Sequence, residues 1–219
     1  MKNQGNVFSV ENLSKEGYSN FASRESFSKI FTEDENFDSL YPSHLRVKSA
    51  RNWTKLEVVK LACDFLATEK NVHVLDIGSG VGKFCITAAH FKPNATFYGV
   101  EQRKNLVDYA TDCSNRLGLY NVSFIHGNFT QLDLRQFDHF YFYNSFYENI
   151  VFGNKFMDDI DYSEELYNYY NQHLCKQLEK MPTGTKLVTF QSLDYEVPAC
   201  YHVVHQEIDN LLKFWIKQS

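Results

Sequence analysis

Long apolar runs are missing from this chain of 219 residues, and no stretch is long enough to span a bilayer, so no membrane partner is expected. The opening stretch, MKNQGNVFSVENLSKEGYSN, also lacks the apolar segment of a secretory signal. Runs of like charge are absent, and the formal net charge is −5. Without a basic footprint for phosphates, nucleic acid is not favoured as a partner. Paired cysteines are lacking too. Cys63, Cys85, Cys113, Cys175 and Cys200 are scattered with no Cys-x-x-Cys, as expected of reduced thiols serving as small core residues. These absences together predict a cytoplasmic protein with one core and an appendage. Glycine is scarce, ten in all, yet three stand at alternate positions of one turn.

The first fifty residues are polar but dotted with aromatics, among them Phe8, Tyr18, Phe21, Phe27, Phe31, Phe37 and Tyr41. Disordered tails are poor in aromatics, so residues 1–50 read as a partly helical cap on a main domain over 51–219. In WTKLEVVKLACDFLA, Val58, Val59, Ala62, Phe65 and Leu66 recur at helical spacing, and Thr54 with Glu57 makes a capping-box signature. Strand-like and helix-like segments then alternate. HVLDI precedes KFCITAAHF, and TFYGVE precedes NLVDYATDCSNRLG with Gly118 as its C-cap. VSFIHG and HFYFYN read as buried strands, SEELYNYYNQHLCKQLEKM as a helix capped by Ser163, and TKLVTFQS as a fifth strand. Alternation of this kind predicts an α/β fold, a doubly wound parallel sheet with helices on both faces. ACYHVVHQEIDNLLKFWIKQ adds an antiparallel hairpin turning at Asp209-Asn210.

The turn Gly78-Ser79-Gly80-Val81-Gly82 joins the first strand to its helix, where an open sheet binds ligands. Glycines there let the backbone approach an anion at the helix N-terminus. Glu101 closes the second strand about twenty residues on, placed for ribose hydroxyls. A nicotinamide dinucleotide or S-adenosylmethionine fits this outline. The dinucleotide fingerprint wants a glycine where Lys83 stands, and Asp76 would repel a pyrophosphate but attract an amino-acid ammonium. The residues therefore favour S-adenosylmethionine.

VLDIGSGVGKF and YGVE resemble the first two motifs of class I S-adenosylmethionine-dependent methyltransferases, over roughly residues 51–192. The resemblance implies a seven-stranded, Rossmann-like, mainly parallel sheet ending in an antiparallel hairpin. It also implies that Asp76, Gly78, Gly80 and Gly82 surround the methionine part and that Glu101 holds the ribose. In HGNFTQL it implies Asn128 beside the adenine amino group and Phe129 on the ring. FYFYNSFYEN lies where such enzymes meet substrate, but lacks the two prolines of adenine and glutamine methylators. The site motifs are most similar to the histone lysine methyltransferases without a SET domain: Gly127-Asn128-Phe129, Asn144-Ser145-Phe146, and Trp53-Thr54 near a cofactor-contacting threonine.

The expected reaction is methyl transfer to an unknown acceptor, an amine of a protein lysine or a small molecule. Tyr143, Phe146 and Tyr147 are expected to form an aromatic pocket, Asn144 to orient the amine, and Glu148 to take a proton or recognise positive charge. The segment YENIVFGNKFMDDIDY, with Asp158, Asp159 and Asp161, is long for its position and reads as a lid. A cofactor-binding but idle regulatory protein is the alternative, and the oligomeric state stays open. No metal is expected: His202 and His205, three apart on a strand, should face opposite ways.

Overall fold

A computed structural model describes residues 29–47, 49–144, 146 and 163–219, without the side chains of residues 50 and 51. Short helices α1 (Asp34–Asp38), α2 (Ser43–Arg46) and α3 (Ser49–Asn52) precede α4 (Leu56–Leu66). Then follow β1 (His73–Ile77), α5 (Lys83–Phe91), β2 (Thr96–Glu101), α6 (Lys104–Arg116), β3 (Val122–His126) and β4 (His139–Tyr143). The chain ends with α7 (Glu164–Leu178), β5 (Lys186–Phe190), β6 (Tyr201–Glu207) and β7 (Leu212–Lys217). The strands form one sheet in the order β3-β2-β1-β4-β5-β7-β6. Strands β1 to β5 are parallel and β7 pairs antiparallel with both β5 and β6, which is the expected doubly wound fold with its terminal hairpin. Strand order reverses between β1 and β4, so their carboxyl ends form the crevice that such sheets offer to ligands.

Alternation along the strands splits the core into two layers. Val74, Phe97, Tyr141, Val188 and Phe214 face α4 and α5. Leu75, Ile77, Phe140, Phe142 and Leu187 face α7. Each buried apolar side chain contributes about 1.5–3 kcal/mol. Tyr141 is fully buried and stacks on Phe84 at 3.8 Å, with its ring nearly parallel. Helix α6 ends as anticipated at Gly118, where the N–H groups of Gly118 and Leu119 reach the carbonyls of Asn115 and Ser114. Ser163 caps α7 by accepting the Leu166 N–H at 3.1 Å.

Three local expectations fail. The capping box at Thr54 is not formed: α4 starts at Leu56, and the Leu56 N–H is accepted at 3.0 Å by Asp34, 22 residues upstream. Thr54 is instead buried, its hydroxyl 3.2 Å from that of Tyr141. VSFIH is an edge strand, mostly half-buried, because it pairs only with β2. An irregularity between Val203 and His205 sets His202 opposite Ile216 and His205 opposite Phe214, two residues on one face of β7. The two histidines therefore share a face, contrary to simple strand alternation.

The described part of the N-terminal region docks on the helices beside the glycine turn. Phe31, Phe37, Tyr41 and Leu45 pack with Leu56, Val81, Ile86 and Cys113. Leu106, Tyr109 and Leu117 of α6 lie against this cluster. Tyr41 donates its hydroxyl to the Val81 carbonyl at 2.8 Å. Lys83, at the first position of α5, is almost fully buried and lies 2.6 Å from both Asp34 and Asp38, near the Phe37 and Trp53 rings. Phe8, Tyr18, Phe21 and Phe27 lie outside the described residues.

Candidate functional site

The site is built on the α5 face of the sheet at its carboxyl edge. Asp76 on β1 and Glu101 at the end of β2 point to this face, as do Tyr141 and Tyr143 on β4, because they share the alternation of Val74, Phe97 and Tyr141. The turn between β1 and α5 passes through left-handed backbone at Gly78, Gly80 and Gly82, with φ of 80°, 55° and 82°. The Gly78 and Ser79 N–H groups both reach the Val100 carbonyl at 3.0 Å, which locks the turn onto β2.

Two of these glycines do different work. A Cβ on Gly80 would meet nothing within 4 Å, so this side of the turn is open. A Cβ on Gly82 would lie 2.5 Å from the Phe124 ring and 2.8 Å from Ala110. Gly82 therefore serves the packing of α5 against β3 and α6 on its Cβ side. Gly82→Ala is expected to destabilise the fold by about 2–3 kcal/mol through overpacking and left-handed strain. Gly80→Ala is expected to cost only the strain, about 1 kcal/mol, while weakening cofactor binding. Urea midpoints and calorimetry on both variants separate the two roles.

Glu101 is held by three donors. Its Oε2 accepts the Gly80 N–H at 3.1 Å, and its Oε1 accepts the Arg103 N–H at 2.9 Å and the Arg103 guanidinium at 3.2 Å. The carboxylate is buried, ionic and oriented over the glycine turn. Asp76 contrasts with it. It is buried, and its donor among the described residues is the Cys85 thiol at 3.7 Å, a weak partner. Burial pushes its pKa up to about 8, against the weak help of Cys85 and with a further push from Glu101. A buried carboxylate so poorly supplied with donors suits a cation.

These features accept S-adenosylmethionine: an acid for the ammonium, an open glycine backbone, and an oriented acid for the ribose. Asp76 also gives a pH dependence with a defined sign. Its folded pKa lies above the ordinary value, so its contribution to cofactor-free stability is complete below about pH 4 and is lost as pH rises toward about 8. A bound ammonium favours the ionised acid. Affinity for S-adenosylhomocysteine is therefore expected to rise between pH 6 and 8 by up to about tenfold per unit, with proton release. Calorimetry in buffers of different ionisation enthalpy reads that proton.

Other expected site residues are already engaged within the fold. Both ends of the Asn128 amide are engaged: the oxygen accepts the Thr130 N–H at 3.0 Å, and the nitrogen donates to Gln102 at 3.3 Å and Tyr170 at 2.8 Å. Phe129 is buried, stacked on Phe146 at 5.0 Å. Tyr143 and Phe146 do not share a pocket. Tyr143 packs on Phe190 at 4.8 Å in the α5 layer, whereas Phe146 packs on Phe129 and Phe142 in the α7 layer. Between them Asn144 turns the chain with a φ of 42°, a left-handed conformation uncommon outside glycine. Gln191 makes a matching turn, φ 53°, at the end of neighbouring β5. Strained backbone of this kind gathers where ligands bind. Glu148, Tyr147, Ser145, Asp158, Asp159, Asp161 and the proposed lid lie outside the described residues. Lys83 and Asp34 carried no sequence signal for their buried pairing, because it joins residues 49 positions apart.

Comparison with known proteins follows this geometry. A family model described as a methyltransferase domain matches residues 68–181, just over half of the 219. A tRNA (guanine-N(7)-)-methyltransferase of Synechococcus sp. (strain JA-3-3Ab) is 46% identical over 54 residues, covering 25% of this chain and 23% of the relative. A 23S rRNA (uracil(1939)-C(5))-methyltransferase RlmD of Shewanella sediminis is 41% identical over 69 residues, 32% of this chain and 15% of the relative. The chain thus spans a quarter or less of these curated relatives. Among solved structures, an RNA methyltransferase from Salinibacter ruber in complex with S-adenosyl-L-homocysteine superposes with a TM-score of 0.54 at 19% identity, over 76% of this chain and 94% of that one. TrmN from Thermus thermophilus gives 0.55 at 16%, over 78% and 51%.

The names of these relatives overturn the expectation that nucleic acid is disfavoured as a partner: tRNA and rRNA are their substrates. Net charge misled because it is a sum over the whole surface and says nothing of local patches. The finer likeness to histone lysine enzymes rests on short sequence motifs alone. Among the described residues no helix is long and apolar enough to cross a membrane. The chain belongs to the methyltransferase-domain family, and its fold is that of class I S-adenosylmethionine-dependent methyltransferases.

Proposed function

We propose that this enzyme methylates a nucleobase nitrogen of RNA in the cytoplasm, in place of the protein or small-molecule amine expected at first. The observation that carries this reading is the similarity to tRNA and rRNA methyltransferases within a region bearing the cofactor motifs. The cysteine chemistry supports a nitrogen over a ring carbon. Methylating an unactivated carbon calls for a covalent nucleophile, most often a thiolate. Burial pushes Cys63 up to about 12 and Cys113 up to about 11, and raises Cys85 and Cys175 as well. Cys200 precedes β6 at the amino edge of the sheet, away from the crevice. A base nitrogen with a free lone pair needs only alignment.

In this reading S-adenosylmethionine supplies a methyl group on positive sulfur. Asp76 balances the ammonium, Glu101 grips the ribose, and Gly80 keeps its backbone face clear. Asn144, at the end of β4, orients the acceptor base through its amide, and Phe146 with Phe129 forms an apolar wall beside it. Glu148 stays in the proposal as a proton acceptor. The test is transfer from tritiated S-adenosylmethionine into fractionated cell extract. Label is expected in RNA, removed by ribonuclease and resistant to protease, with Asn144→Ala losing most of it. Label confined to protein contradicts the reading.

A further inference from the structure

Helix α7 carries a stripe that the cofactor site leaves unused. Tyr169, His173 and Lys176 follow one another at spacings of four and three and so share one face, and Lys180 follows in the turn just past the helix end. Tyr169 is 53% exposed, both lysines are exposed, and His173 is half-buried. The stripe is joined to the transfer site by a chain of rings. Phe146, two residues beyond Asn144, stacks on Phe129; Phe129 meets His173 edge-on at 5.6 Å; His173 meets Tyr169 at 6.1 Å. The helix starts at the carboxyl edge of the sheet, so Tyr169 lies nearer the site and Lys180 farther from it.

The charge along this face is positive, in a chain of net charge −5. Lys176 stands in the last turn of the helix and Lys180 in the turn that follows it. Both lie close enough to His173 to lower its pKa, together with partial burial as the larger cause. Asp133 lies close enough to Lys180 to feel its charge and is paired with Arg135 through contacts of 2.9 and 2.8 Å. The nearby acids are Glu164 and Glu165 in the first turn of the helix and Glu179 at its C-cap. An exposed aromatic followed by spaced cations is the arrangement that binds single-stranded nucleic acid, with a base on the ring and phosphates on the cations.

We propose that this face of α7 is the track for the RNA strand flanking the methylated nucleotide, with Tyr169 stacking a neighbouring base and Lys176 and Lys180 pairing with phosphates. The inference rests on RNA being the acceptor. A tryptophan or lysine side chain of a protein partner gains nothing from two spaced cations, so the charge pattern selects a polyanion.

The experiment measures binding of a fluorescein-labelled, unstructured 12-nucleotide RNA to the full chain across salt concentrations, with methyl transfer and S-adenosylhomocysteine binding in parallel. Lys176→Glu with Lys180→Glu is expected to weaken RNA binding about tenfold or more and to flatten the salt slope by about 1.4, the value for two lost single-strand contacts. Tyr169→Ala is expected to weaken it about tenfold with little change of slope. S-adenosylhomocysteine binding stays at the wild-type level in all variants. Should the wild type bind and methylate RNA while both variants match it in affinity and slope, the track is wrong and the RNA acceptor stands. Should the wild type neither bind nor label RNA, both fall together. Parallel loss of S-adenosylhomocysteine binding in the variants also overturns the track, because it assigns the stripe to the fold.

Discussion

Glu101→Ala weakens binding of S-adenosylhomocysteine about 100-fold or more in the expected outcome, and methyl transfer falls with it. A carboxylate accepting two ribose hydroxyls gains about 1.5–3 kcal/mol from each. The loss extends beyond those two bonds. The Gly80 N–H and the Arg103 guanidinium both rest on this carboxylate, so its removal frees the turn and takes one anion from a mostly buried cation. Glu101→Gln keeps the shape and loses the charge, so its affinity should fall between wild type and alanine. Calorimetry at pH 7.5 reads all three. An alanine variant that binds within a few-fold of wild type removes Glu101 from the site.

Lys83→Ala has the largest expected effect on the fold itself. Its ammonium is shared by Asp34 and Asp38, and Asp34 also caps α4. Losing the cation leaves Asp38 largely buried without a partner, a change that costs about 3 kcal/mol even though Asp34 keeps a third of its side chain in solvent. For a domain of this size that is a fall in melting temperature of about 10 °C. The damage should be local in character, because the ion triad fastens the N-terminal cluster to the helix that follows the glycine turn. Adding Asp34→Asn and Asp38→Asn to Lys83→Met should restore most of the loss, since no unpaired charge then remains. If the triple variant is no better than Lys83→Ala, the ion triad is not the anchor.

How far the sequence foretold this molecule follows from the range of the interactions involved. HVLDI, KFCITAAHF and TFYGVE became β1, α5 and β2 residue for residue, because period and glycine punctuation are local signals. The carboxylates of the site were legible for the same reason: Asp76 and Glu101 are fixed by their places at the ends of adjacent strands. What escaped was set by partners far away in the chain. Thr54 looked like a helix cap until Asp34 took that N–H from across the fold. The tie from the Asn128 nitrogen to Tyr170, 42 residues on, had no local signal either. Tyr143 and Phe146 looked like one pocket, but the left-handed turn at Asn144 sends them to opposite layers. Nucleic acid was disfavoured for a different reason, the averaging of local charge into an acidic total.

The two acids at adjacent strand ends are the centre of the account, and a crystal structure with S-adenosylhomocysteine tests them directly. The account predicts the ligand in the crevice over Gly80, its amino group within hydrogen-bond distance of Asp76 and both ribose hydroxyls on Glu101. A ligand seated elsewhere, or one whose ribose ignores Glu101, contradicts it.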